Sequence, residues 1–168
     1  MTSTIELRTT TQIYRVYIKA TPQAVWDAIT KPEWSEKYGY GGLAEYDMRP
    51  GGAFITRPGE AMKAYPGVPD IIIDGEVIEA DPPRKLVQTW RMLMDQEMAD
   101  EGFTRLTHEL ELIQEGVTRL TVIHELENAP KLAVVTGGGA ESQGAGGGWA
   151  WILSDLKSLL ETGTKLAG

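Results

Sequence analysis

Apolar positions in this chain follow a period of two over most of its length and a period near 3.6 at both ends. From Gln12 to Lys19, Ile13, Val16 and Ile18 mix with Tyr14, Arg15 and Tyr17, a pattern that predicts a strand. Thr21-Pro22 then offers a helix N-cap followed by proline at the first helical position. The predicted helix Pro22 to Thr30 gathers Val25, Trp26 and Ile29 on one face. Lys31 precedes a proline and is pushed out of helical geometry, so a second short helix, Pro32 to Lys37, carries Trp34 separately. Alternation returns in Leu43 to Met48 and Ala53 to Arg57, two strands about the turn Arg49-Pro50-Gly51-Gly52. Pro58 to Pro69 has three prolines, two glycines and no period, and reads as a loop. Further strands are predicted over Ile71 to Glu79 and Lys85 to Met94. After the acidic linker Asp95 to Glu101, Phe103 to Gln114 and Thr118 to Glu127 form a hairpin.

The last segment, Glu141 to Glu161, predicts a long helix. Trp149, Ile152, Leu153, Leu156 and Leu160 fall at i, i+3, i+4, i+7 and i+11, one apolar stripe. Its first half is unusual, because seven of the twelve residues from Gly137 to Gly148 are glycine. Each glycine weakens a helix by roughly 1 kcal/mol relative to alanine. Two readings stay open: a loop running into a helix that starts near Gly147, or a loosely held helix end that gates whatever lies beneath. The stripe needs a sheet to lie on. The order strand, two short helices, antiparallel strands, long helix predicts an α+β fold in which a curved antiparallel sheet of about six or seven strands wraps around the final helix.

The register of the last hairpin decides where both histidines of the chain point. A two-residue turn at Glu115-Gly116 would set Leu112 opposite Arg119. A three-residue loop, Glu115 to Val117, pairs Leu112 with Leu120, Leu110 with Val122 and His108 with His124, and gives Gly116 a left-handed position. The second register predicts two imidazoles side by side on the apolar face, where desolvation and mutual repulsion keep at least one of them neutral at pH 7.

Composition narrows the function. Sixteen basic against 24 acidic residues give a net charge of −8 with no basic cluster, which argues against nucleic acid or an anionic membrane as partner. The absence of cysteine excludes disulfides, thiolate catalysis and zinc–thiolate sites. No apolar leader segment and no stretch of membrane-spanning length is evident, which predicts a cytoplasmic protein. A single domain is expected over residues 12–161, with a flexible lead-in at 1–11 and a tail at 162–168. The serines Ser3, Ser35, Ser142, Ser154 and Ser158 sit in no nucleophile-elbow motif. The run Gly144 to Gly148 lacks the preceding strand and the lysine of a phosphate-binding loop. Two histidines without a third ligand predict no metal, and no cofactor is expected. His108, His124 and Gln88 could do acid–base work or simply orient a ligand; no catalytic residue is assigned.

Five stretches carry a family resemblance. They are Ala20 to Trp26 running on to Thr30-Lys31-Pro32-Glu33, then Asp47 to Phe54, Gly75 to Glu79, Pro82 to Trp90, and Gly148-Trp149 opening the terminal helix. In this order they resemble the activator-of-heat-shock-protein-90-ATPase homologue family, within the START-like, birch-pollen-allergen-like superfamily of helix-grip domains, over Tyr14 to Glu161. The resemblance implies a pocket for an apolar small molecule between sheet and helix. Because the wall of such a pocket is the inner face of the core, the candidate lining residues are Trp26, Trp34, Phe54, Ile73, Gln88, Trp90, His108, Leu110, Val122, His124, Trp149 and Leu153. Ligand binding without catalysis is the expected function. One alternative is an enzyme of the cyclase or hydrolase type acting on an aromatic or polyketide-like substrate in the same pocket. Another is a module that touches a chaperone through its outer sheet. Chaperone-activating relatives carry an additional N-terminal domain, so no ATPase stimulation is expected from this chain alone. The long loop Thr56 to Asp70, the glycine run, and Tyr38 and Tyr40 in place of tryptophan depart from the family pattern and bear on ligand preference. The Pro58 to Pro69 loop and the Gly137 to Gly148 stretch are expected to frame the pocket mouth.

Overall fold

The computed structural model describes residues 10–144 and 146–166. The expected lead-in therefore lies outside the described residues apart from its last two, as do the final two residues of the expected tail. The strands are β1 (Thr11–Ile18), β2 (Leu43–Tyr46), β3 (Ala53–Arg57), β4 (Ile73–Asp81), β5 (Lys85–Met92), β6 (Thr104–Gln114) and β7 (Val117–Glu125). They form one curved antiparallel sheet of seven strands in the order β1-β7-β6-β5-β4-β3-β2. The period of two sorts their residues. Leu86, Gln88 and Trp90 of β5, Leu106, His108 and Leu110 of β6, and Leu120, Val122 and His124 of β7 are all buried.

Helix α1 (Pro22–Thr30) starts as the sequence predicts, with the Thr21 hydroxyl accepting from the Ala24 N–H at 3.1 Å. Lys31 ends it in an extended conformation, and α2 (Pro32–Ser35) follows at once, two residues shorter than expected. Three short helices occupy segments where no helix was predicted: α3 (Glu60–Lys63) in the proline-rich loop, α4 (Gln96–Asp100) in the acidic linker, and α5 (Pro130–Thr136) after β7. None is long enough to show a hydrophobic period. Local capping and tertiary contacts hold them instead: the Asp95 carboxylate accepts from the Glu97 N–H at 3.3 Å at the start of α4. Glu101 accepts from the N–H groups of Lys131 and Leu132 at 2.7 and 3.1 Å at the start of α5.

The terminal helix α6 runs over Gly148–Thr162, so the predicted helix from Glu141 loses its first two turns. Only a single turn of 3-10 helix, Glu141–Gln143, interrupts the glycine-rich segment before it. Close approach of neighbouring atoms explains several of these glycines. Gly148 has φ +69°, and a Cβ there would lie 2.2 Å from the Thr136 carbonyl oxygen. Gly146 has φ +83° and packs under the Tyr40 ring, where a Cβ would meet the hydroxyl at 2.5 Å. The apolar stripe of α6 enters one buried cluster with the sheet: Trp149, Leu153 and Leu156 join Leu86, Trp90, Leu110 and Val122.

The hairpin register differs from the predicted one. The turn is the two-residue Glu115-Gly116, since Gln114 pairs with Val117, and a bulge at Ile113 then shifts the ladder so that Leu112 faces Thr118. Leu110 pairs with Leu120, His108 with Val122, and Leu106 with His124. The extra residue restores the parity that an unbulged two-residue turn would have spoiled. Compared with the predicted pairing the ladder is displaced by two residues, which preserves the faces. Both histidines stay inside, but they are diagonal neighbours and do not face each other directly. A second bulge at Ile78 adjusts β4 against β5 in the same way. Among the described residues no helix is long and apolar enough to cross a membrane.

Candidate functional site

A cavity of about 430 Å³ lies between the sheet and α6, within the range of roughly 300–1,000 Å³ typical of small-molecule sites. The sheet contributes Ala44, Tyr46, Phe54, Thr56, Ile73, Trp90, Met92, Leu106, His108 and Leu120, and α6 contributes Trp149, Ile152, Leu153 and Leu156. Around these, Tyr38, Tyr40, Met62, Met94, Met98, Val135 and Gly144 come from the helices and connections. Four of the six methionines in the chain thus sit on the wall. Their unbranched, polarisable side chains adapt to different apolar shapes.

Among the residues singled out from the sequence, Phe54, Ile73, Trp90, His108, Trp149 and Leu153 line this cavity. Trp26, Leu110 and Val122 are buried in the core away from its surface. Trp34 lies off the wall on α2, with the Lys37 ammonium 4.5 Å from its ring centre. Gln88 is fully buried behind the wall and accepts from the Tyr46 hydroxyl at 2.8 Å. His124 is also fully buried and off the wall. Tyr46 and Ala44 could have been read from the alternation of β2, and Ile152 from the helical stripe. Met94 could have been read from the predicted strand Lys85 to Met94, whereas Met62, Met98 and Val135 had no such signal, because they come from short helices without a period.

Polar groups on the wall are mostly committed to the protein. The Tyr38 hydroxyl donates to the Ala28 carbonyl at 2.9 Å, and that of Tyr46 donates to Gln88. Ser35 donates to the Gly42 carbonyl at 2.8 Å and accepts from the Ala44 N–H at 2.9 Å. Burial raises both tyrosine hydroxyls well above their ordinary pKa, so they stay protonated. The indole N–H of Trp149 donates to His124 Nδ1 at 3.1 Å, while His124 Nε2 and the Thr104 hydroxyl are 2.8 Å apart. Thr104 in turn donates to the Trp90 carbonyl at 2.9 Å.

His108 is different in being buried with an unpartnered ring nitrogen. It is 5% exposed, lines the cavity, and its Nδ1 has no hydrogen-bond partner among the described residues. Desolvation pushes its pKa from 6.5 down to about 4. Desolvation, helped by the nearby His108, pushes His124 down to about 3. Both rings meet Trp149 edge-on, at centroid distances of 6.2 and 5.9 Å. Among the described residues no three His, Asp or Glu side chains come together as a metal site.

The mouth is braced by charge. Lys131 of α5 pairs with Asp95 at 3.0 Å and with Glu97, tying α4 to α5 where Met98 and Val135 reach the cavity. On the other side Asp155 of α6, almost fully buried, accepts from the Gly39 N–H at 2.9 Å and from the Leu166 N–H at 2.7 Å. The Tyr40 hydroxyl accepts from the Gly148 N–H at 3.0 Å.

A curved antiparallel sheet closed over an apolar cavity by a C-terminal helix defines a helix-grip domain. The chain belongs to the Activator of Hsp90 ATPase homolog 1-like family, whose model matches residues 19–161. No curated protein matches it. Among solved structures it is similar to CalU16 from Micromonospora echinospora (20% identity, TM-score 0.63, covering 94% of this chain and 77% of that one). It is also similar to the Aha1 dimer from Colwellia psychrerythraea (19% identity, TM-score 0.62, covering 91% and 97%). A third, an HSP90 activator from Plasmodium falciparum, shares 22% identity at a TM-score of 0.53 over 68% of this chain and 71% of that one. At these identities the likeness is one of fold.

Proposed function

We propose that this protein binds an apolar small molecule in the cavity between its sheet and α6, and that it does so without chemical conversion. The observation that supports this most is the wall itself: about 430 Å³ enclosed by aromatic, aliphatic and methionine side chains, with the hydroxyls of Ser35, Tyr38 and Tyr46 already bonded to the protein. Burying an apolar ligand there removes roughly 25 cal/mol per Å² of hydrophobic surface cost. Catalysis would call for a donor and an acceptor poised at the same reacting atom. His124 has both ring nitrogens engaged in holding α6 to the sheet, which leaves His108 as the imidazole on the wall.

Native mass spectrometry of protein purified without detergent tests the reading. The expected result is an adduct of small-molecule mass that disappears on organic extraction and is depleted in a Leu153→Trp variant, which narrows the cavity. Extracted protein that takes up no hydrophobic probe saturably would refute it. Release of a changed compound after incubation would replace it by the enzymatic reading.

A further inference from the structure

The chemistry of the wall says more about the ligand than its size does. We infer that the cavity, read as a ligand site as above, selects an uncharged hydrophobe carrying one hydrogen-bond acceptor oxygen, which takes the N–H of His108.

Two observations carry this. First, among the described residues no lysine or arginine lines the cavity, and the one charged side chain there is Asp95, already paired with Lys131. A carboxylate or phosphate entering would give up its hydration without a counter-charge, which no amount of apolar contact of this size offsets. Ionised fatty acids and anionic lipids are therefore disfavoured as occupants. Second, His108 is 5% exposed, faces the cavity and leaves Nδ1 without a partner among the described residues. A buried orphan N–H is costlier than a buried orphan lone pair, so the ring proton belongs on Nε2. With Nδ1 sealed inside the wall, Nε2–H is the donor this ring has left to offer a ligand in the cavity that it lines. Ser35, Tyr38, Tyr46 and Trp149 direct their own protons to protein acceptors, so beside the hydroxyls of Tyr40 and Thr56 it is His108 that offers the ligand's polar atom a donor.

Equilibrium dialysis with three probes sharing one ring system tests the inference: 2-acetylnaphthalene, 2-ethylnaphthalene and 2-naphthoate. Naphthoate is expected to bind at least about tenfold more weakly than the ketone. The ratio of ketone to hydrocarbon affinity is expected to fall about tenfold in His108→Phe. His108→Gln keeps an N–H donor and is expected to hold that ratio within about threefold of the wild type. Naphthoate binding as tightly as the ketone overturns the inference, as does a ratio unchanged in His108→Phe or equally lost in His108→Gln. In those cases the hydrocarbon still binds and the cavity remains a ligand site. If none of the three probes binds, the reading of the cavity as a ligand site falls, and this inference with it. Should His108→Phe not fold, the naphthoate arm and His108→Gln decide.

Discussion

The indole N–H of Trp149 and Nδ1 of His124 are 3.1 Å apart, and this bond fixes the protonation of everything behind it. An indole nitrogen can only donate, so Nδ1 must carry the lone pair and Nε2 the proton. Nε2–H then donates to the Thr104 hydroxyl, whose own proton goes to the Trp90 carbonyl. Nitrogen-15 NMR should find His124 as the Nε2–H tautomer throughout neutral pH. Trp149→Phe keeps an aromatic ring but strands a buried acceptor, at an expected cost of about 1–3 kcal/mol in addition to the packing lost with the smaller ring. A Nδ1–H tautomer would contradict the chain of donors.

Stability should depend on pH in a window set by the two imidazoles. Burial holds the folded pKa of His108 at about 4 and that of His124 at about 3, whereas both titrate near 6.5 in the unfolded chain. Their contribution is complete above about pH 6.5 and is lost as the pH falls toward the folded values, because the unfolded chain takes up protons first. The slope reaches up to about 1.4 kcal/mol per pH unit for each histidine. Urea unfolding at about pH 7 and about pH 5 measures it, and His108→Phe should roughly halve the difference.

These histidines also show what was legible in the sequence. The period of two placed both on the inner face, and the structure keeps them there. Strict alternation has no room for the bulges at Ile78 and Ile113, so the pairing was displaced by two residues although the faces were right. The strands, α1 and the stripe of α6 were readable because each repeats its pattern over two turns or several pleats. Part of the cavity wall was not, since Met98 and Val135 sit on α4 and α5, which are five and seven residues long and too short for a period. Tertiary contacts define those elements, above all the carboxylate of Glu101 on the start of α5.

Glu101→Ala tests that last contact. Removing a carboxylate that caps two backbone N–H groups should cost about 1 kcal/mol, as for other helix N-caps. The loss should be local: amide exchange should rise in α5 and leave β6 and β7 as slow as before. Uniform acceleration across the sheet would show that α5 is part of the global folding unit.

Ligand occupancy should be visible at the mouth. Met62 and Gly144, from the proline-rich and glycine-rich segments, both line the cavity. Hydrogen exchange is expected to be faster in residues 58–69 and 137–148 of the free protein and to slow when a hydrophobic probe is bound. Identical exchange with and without the probe would deny these segments a gating role.

One carboxylate links the two ends of this arrangement. Asp155 holds the Gly39 N–H at the cavity wall with one oxygen and the Leu166 N–H with the other. Whatever is attached at the carboxyl end of the chain therefore pulls, through a single side chain, on the loop that carries Tyr38 and Tyr40. An affinity tag fused there, or a cut after Gly163, is an experimental change to the wall of the cavity itself. Ligand affinities measured on differently terminated versions of this protein should be expected to disagree.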